Sequence, residues 1–200
     1  AQIKSAILLA GLFARGNTVL HQTILSRDHT ERMLKRMGAS LESQGNSISL
    51  LPLSSPLVPV NLHVPGDISS AAYFLVAGAI HPDARMVIKD CGINPTRTGI
   101  IDILLAMGAR LKIGNERIEA SETLADIVVE SSELKGIEVG GDIIPRLIDE
   151  IPVLAVAGCF AKGETVIKDA GELKVKESDR IATVVSELSR MGAKIEPLPD

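Results

Sequence analysis

The chain has 200 residues, 46% of them hydrophobic, with 25 acidic side chains against 21 basic ones and a formal net charge of −4. That length suits one large domain or two small ones, with a core of aliphatic side chains and Ala, because there are three Phe, one Tyr and no Trp. Scarce aromatics argue against binding single-stranded nucleic acid by base stacking, and the negative charge argues against a general phosphate-backbone binder. Any anion site should therefore be local.

The first predicted element is a small-residue apolar helix, Ser5-Ala6-Ile7-Leu8-Leu9-Ala10-Gly11. The apolar stretch from residue 1 to 12 has no basic leader and no clear cleavage site, so it is not read as a signal peptide. A turn leads into a short strand, Thr18-Val19-Leu20, and a polar loop opens a second helix ending in Met37-Gly38-Ala39. Its glycine suits the left-handed conformation that closes helices, and a β-like stretch follows. Residues 51–65 then carry Pro52, Pro56, Pro59 and Pro65. Proline removes ladder donors and stiffens the chain, which predicts a crossing between domains; an edge strand with a loop is the alternative.

The same pattern recurs twice. Its second copy comprises Ala71-Ala72-Tyr73-Phe74-Leu75-Val76-Ala77-Gly78, Met86-Val87-Ile88, Met107-Gly108-Ala109 and Leu111-Lys112-Ile113. The third comprises Val153-Leu154-Ala155-Val156-Ala157-Gly158, Thr165-Val166-Ile167, Met191-Gly192-Ala193 and Lys194-Ile195-Glu196. Met37, Met107 and Met191 stand 70 and 84 residues apart, so three helix–strand–helix–strand units predict an α/β protein. The first copy starts abruptly at its helix and the last stops at Pro199-Asp200; both ends read as cut from something longer.

Aligned on their glycines, the copies place Gln2, Ser69 and Asp149 at first-helix starts. Aligned on Met-Gly-Ala, they make Arg27 equivalent to Arg97, with Arg180 one residue out of step. If the helix N-termini point one way, these groups form an anion-binding face; simple N-capping is the alternative for Ser69 and Asp149. The third copy is the richest in charge, with Lys174 and Lys176-Glu177-Ser178-Asp179-Arg180 before Ile181-Ala182-Thr183-Val184-Val185. Cations at a helix start are unfavourable by up to ~1 kcal/mol each, unless an anion such as phosphate sits among them. A solvated charged cap is the plain alternative.

Asp149-Glu150 follows Leu147-Ile148 and precedes Ile151-Pro152, with proline suited to a first helical turn. A carboxylate in apolar company near cations is where proton transfer can be tuned, which makes Asp149 the first candidate and Glu177 the second. Cys91 and Cys159 make neither a disulfide framework nor a zinc site, and Cys159, within the apolar run 153–160, is expected to be a buried, inert thiol. His21, His29, His63 and His81 lack ligand spacing and are expected in surface or capping roles. There is no P-loop, no strand-borne GxGxxG and no HExxH, so no metal or cofactor is predicted. No apolar run reaches membrane-spanning length, and a cytoplasmic location is expected.

These motifs together resemble the 5-enolpyruvylshikimate-3-phosphate synthase family of enolpyruvyl transferases. The matching segments are Ala1-Gln2-Ile3-Lys4-Ser5-Ala6, Ser26-Arg27-Asp28-His29-Thr30-Glu31-Arg32, Gly66-Asp67-Ile68-Ser69-Ser70-Ala71-Ala72, Asn94-Pro95-Thr96-Arg97-Thr98-Gly99, Pro145-Arg146-Leu147-Ile148-Asp149-Glu150-Ile151-Pro152 and Val175-Lys176-Glu177-Ser178-Asp179-Arg180. They run through the whole chain in the family's order. The resemblance implies repeated α/β units of the inside-out α/β barrel fold, two domains of three repeats each closing over a cleft, with about three of six repeats present. Residues 1–62 would be the last repeat of the first domain, and 63–200 two repeats of the second.

The reaction it implies adds the 5-hydroxyl of shikimate 3-phosphate to phosphoenolpyruvate and then expels inorganic phosphate, with no cofactor. Carried over by motif, Gln2 would contact both substrates, while Arg27 and Lys176 would hold shikimate 3-phosphate. Asp149 would bind its hydroxyls and accept a proton, Glu177 would serve proton transfer at the phosphoenolpyruvate methylene, and Arg180 would bind the phosphoenolpyruvate anion. The family's N-terminal Lys-Ser and Arg motif, its glycine-rich loop, the serine before Ala1 and a late arginine are absent. The 200 residues alone are therefore expected to be inactive and to need the remaining halves of both domains as partners. Two other readings stay open: the related transferase acting on UDP-N-acetylglucosamine, whose cysteine loop has no counterpart here, and a non-catalytic module that binds phosphorylated ligands.

Overall fold

A computed structural model describes residues 2–198. The first unit runs α1 (Gln2–Gly11), β1 (Thr18–His21), α2 (His29–Arg36), β2 (Leu41–Gln44) and β3 (Ser47–Leu50). The last strand lies between the other two in an antiparallel sheet ordered β1-β3-β2, with Leu50 opposite both Thr18 and Leu41. Its sequence alternates Ser and aliphatic residues, so Ile48 and Leu50 point inward while Ser47 and Ser49 sit at the surface side. Leu8 of α1, Leu12 just past its end and Leu34 of α2 cover that inner face.

The second unit repeats this plan with longer strands: α3 (Ile68–Ile80), β4 (Arg85–Gly92), α4 (Gly99–Ala106), β5 (Arg110–Glu119) and β6 (Glu122–Glu130), in sheet order β4-β6-β5. Each of these units thus has a third strand that the helix–strand–helix–strand reading omits. The third unit holds α5 (Ile151–Phe160) and α6 (Arg180–Arg190), and a two-stranded parallel pair, β7 (Glu138–Val139) with β8 (Val166–Ile167). Lys194-Ile195-Glu196, expected as a strand, is not one. A strand needs a ladder partner for its backbone groups, and no described segment supplies it. Instead Ile195 helps line a cavity of about 680 Å³ between α5 and α6. Pro199 and Asp200 lie outside the described residues, as does Ala1.

The three Met-Gly-Ala sequences close α2, α4 and α6 in one geometry. Gly38, Gly108 and Gly192 have φ of 92°, 92° and 95°, a left-handed conformation in which a Cβ would be strained. The alanine N–H groups of Ala39, Ala109 and Ala193 return to the carbonyls of Leu34, Leu104 and Leu188. That is the Schellman closure, which satisfies carbonyls the helix leaves orphaned.

Two hydrophobic cores result. One joins Leu8, Leu12, Leu34, Leu41, Ile48 and Leu50, and the other is shared by the second and third units through residues such as Leu75, Leu104, Ile127, Leu147 and Leu154. Residues 51–65 form no strand. Val58 N–H still bonds the Met37 carbonyl of the first unit, whereas Gly66 already bonds Asp90 of the second. Leu8→Ala should lower the stability of the first core by about 2–5 kcal/mol. Amide exchange should record the loss in α1, α2 and β3, while protection at Leu75, Leu104 and Ile127 stays within about twofold.

Candidate active site

Asp149 is the point where the first and third units meet. The 3-10 turn Ile148–Glu150 sets it just ahead of α5, where free backbone N–H groups favour an anion. Arg27, in the loop between β1 and α2, donates from Nη2 to Asp149 Oδ2. Arg180, the first residue of α6, donates from Nη1 to Oδ1 at 3.2 Å and from Nη2 to Glu177 Oε2 at 2.7 Å. Arg27, Asp149, Arg180 and Glu177 thus form one alternating chain of charge.

Burial alone would raise the Asp149 carboxyl, but hydrogen bonds and charge from Arg27 and Arg180 outweigh it and hold the group below the usual carboxylate range. Of the expected surroundings, apolar neighbours and nearby cations, it is the two guanidiniums that set its charge state. The exposed Glu177 is also lowered, chiefly by its bond to Arg180. Lys176 turns away to Glu172 Oε1 at 2.5 Å, one turn back. Asp179 caps α6 by accepting from Ala182 N–H at 2.9 Å.

The neighbouring carboxylate takes the opposite course. Glu150 is buried with 2% exposure and accepts from Ser69 Oγ. Burial pushes its carboxyl up, against the Ser69 bond and the nearby Arg97 charge. Arg97 Nη2 donates to Ser69 Oγ at 2.5 Å and pairs with Asp67 at 3.0 Å. Asp67, not Ser69, caps α3, accepting from Ser70 N–H at 2.9 Å. Arg97, the repeat counterpart of Arg27, therefore serves the interior behind Asp149.

A third cluster holds the units side by side. Asn94 Nδ2 donates to Asp28 Oδ1 at 2.7 Å and to Glu122 Oε2 at 3.1 Å, and His29 Nδ1 lies 2.7 Å from Glu122 Oε1. Arg32 reaches the Ser121 carbonyl. His29, expected in a surface or capping role, keeps its side chain 41% exposed while joining this polar network. Among the described residues, the side-chain polar contacts between the first unit and the rest start from Arg27, Asp28, His29 and Arg32.

The sequence matches the family described as EPSP synthase (3-phosphoshikimate 1-carboxyvinyltransferase) over residues 1–200. The chain belongs to the EPSP synthase family. A 3-phosphoshikimate 1-carboxyvinyltransferase of Bacillus subtilis strain 168 is 56% identical over 200 residues, which is all of this chain and 46% of the relative. The EPSP synthase of Acinetobacter baumannii superimposes with a TM-score of 0.92 at 49% identity, over 100% of this chain and 45% of that one. The enolpyruvyl transferase NikO of Streptomyces tendae shares the fold, with a TM-score of 0.64 at 22% identity over 80% of this chain and 37% of its own. The chain spans about half the length of the curated relatives it matches.

Within this EPSP synthase family chain, Arg27, Asp149, Glu177 and Arg180 lie in direct contact, and Lys176 borders them. Gln2 opens α1 and is exposed. Asp67, Asn94, Asp28 and Glu122 join the candidate site without having been singled out as site residues, whereas Glu150 was marked by its place in the Asp149-Glu150 pair. Cys159 is exposed, against expectation. α5 is apolar all round, and Ile151, Val153, Leu154 and Ala157 take its buried face, leaving Cys159 outside. Among the described residues no group of three His, Cys, Asp or Glu side chains could hold a metal ion, and no helix is long and apolar enough to cross a membrane.

Because Asp149 titrates lower folded than unfolded, its stabilising contribution is present above about pH 4 and fades as pH falls through the lowered value. Asp149→Asn should cost about 1 kcal/mol near neutral pH, the size of a partly solvated pair. Urea denaturation should show that difference closing as pH falls through the lowered value.

Proposed function

We propose that this chain is part of an EPSP synthase that transfers the enolpyruvyl group of phosphoenolpyruvate to the 5-hydroxyl of shikimate 3-phosphate. The observation that carries the reading is Asp149 gripped between Arg27 and Arg180, with Glu177 on the outer guanidinium. Two substrates with anionic groups need two cationic anchors, and an addition to an enol needs one proton acceptor and one donor.

In this reading Asp149, held ionised, takes the proton of the 5-hydroxyl as its oxygen bonds the enol carbon, and Glu177 takes part in proton transfer at the methylene. The tetrahedral adduct then loses a methyl proton and expels phosphate, which restores the vinyl group. Arg27 and Lys176 hold shikimate 3-phosphate, Arg180 holds the phosphoenolpyruvate anion and Gln2 contacts both. No cofactor enters, and the setting is the cytoplasm. The separate cores and the crossing between Val58 and Gly66 support taking 1–62 as the last repeat of one domain and 63–200 as two repeats of another. The rest of both domains are then its partners.

The test grafts these 200 residues in place of the matching segment of the Bacillus subtilis relative. Phosphate release should require both substrates, and UDP-N-acetylglucosamine should not replace shikimate 3-phosphate. Asp149→Asn should lower turnover by about 10²–10⁴-fold, the usual worth of a general base. The 200-residue chain alone should release no phosphate. A folded graft that binds shikimate 3-phosphate without turnover would instead mark a binding module.

A further inference from the structure

Lys4 and Glu31 are the one ion pair among the described residues with both side chains almost fully buried, at 5% and 6% exposure. Lys4 belongs to the first turn of α1 and Glu31 to the first turn of α2. Their separation, Nζ to Oε1, is 2.6 Å. Lys4 Nζ makes a second bond, donating to the Ser26 carbonyl at 3.1 Å. Ser26 is gripped from its other side as well, where Gln22 Oε1 accepts from its N–H at 3.3 Å and its Oγ at 3.0 Å. Ser5 and Thr30 hydroxyls, 2.6 Å apart, tie the same two helix starts together.

The Ser26 carbonyl lies in the peptide plane that contains the Arg27 N–H. A peptide unit is rigid, so holding that carbonyl also holds the N–Cα bond of Arg27 and narrows the directions its side chain can take to rotation about that bond. A buried pair of this kind contributes little net stability, because desolvation offsets the attraction. Here the second oxygen, Glu31 Oε2, has no hydrogen-bond partner among the described residues, so the pair is poorly explained as a stabilising device. What it does provide is a fixed cation at one end of α1, aimed at one carbonyl.

We infer that Lys4 and Glu31 are positioning residues: Glu31 holds the Lys4 ammonium in place, and Lys4 orients the Ser26–Arg27 peptide so that the Arg27 guanidinium faces Asp149 and an incoming anion. The consequence for substrate affinity rests on the function proposed above; the ordering of the loop does not.

Two variants test it. Lys4→Met with Glu31→Leu removes both charges at similar volume, a replacement that cores tolerate. Gln22→Ala frees the opposite side of Ser26 without touching the buried pair. In the 200-residue chain, amide exchange at residues 26–28 should quicken by about tenfold in each variant, with Leu34 and Leu50 unchanged. In the Bacillus subtilis graft, KM for shikimate 3-phosphate should rise by about tenfold while kcat and KM for phosphoenolpyruvate stay within about twofold. Exchange at 26–28 that stays at the native rate in the Lys4→Met/Glu31→Leu variant overturns the inference, whatever Gln22→Ala does, as does quickening spread evenly over the first unit with KM unmoved. A native graft that never turns over overturns the proposed function instead, and exchange still decides the role of Lys4 and Glu31.

Discussion

The placement of the Asp149 carboxylate between Arg27 and Arg180 is the constraint on which the rest of the arrangement depends. It joins a loop of the first unit to a helix start of the third, across two hydrophobic cores that share no side chain. Two guanidiniums so close would repel without an anion between them. Asp149 supplies it, at a position where the start of α5 adds its own positive field. Burial differentiates the next residue: Glu150 turns inward to Ser69 and is pushed up, while Asp149 is drawn down. Adjacent carboxyls with opposite environments are a general way to keep one ionised and leave the other structural.

The repeat was the legible part of the fold, and the reason is local. Met-Gly-Ala marks a helix end because the left-handed residue and its two return bonds are set within six residues of chain. The apolar helices and first strands were legible for the same reason. The strands β3 and β6 were overlooked although their alternation was present, in Ser47-Ile48-Ser49-Leu50 for example. The Lys194-Ile195-Glu196 strand failed the other way: its local pattern is strand-like, but pairing depends on a partner that local pattern does not report.

The candidate cluster was legible where charge stood in a helix-start loop, as with Arg27, Asp149, Glu177 and Arg180. It was not legible where contacts come from burial. Nothing in the spelling of Asp67 or Arg97 says that they close over Ser69, or that Asn94 bridges Asp28 and Glu122. Those contacts span 28 residues or more. Cys159 shows the same limit from the apolar side, since a helix hydrophobic on every face does not declare which face will be covered.

The cations read from the sequence as an anion site are, in the folded chain, already paired with carboxylates: Arg27 and Arg180 with Asp149, and Lys176 with Glu172. This does not weaken the anion reading. Partly solvated pairs are worth about 1 kcal/mol or less, whereas a phosphate offers a guanidinium several charge-assisted bonds in a matching plane. An entering dianion can therefore draw Arg27 and Arg180 away from Asp149 at small cost. Doing so leaves Asp149 with less positive charge around it, and its affinity for a proton rises. On the proposed reading, anion binding and base strength would be coupled through the same two arginines, so that the carboxylate would become a better proton acceptor once a substrate's charge had drawn them away.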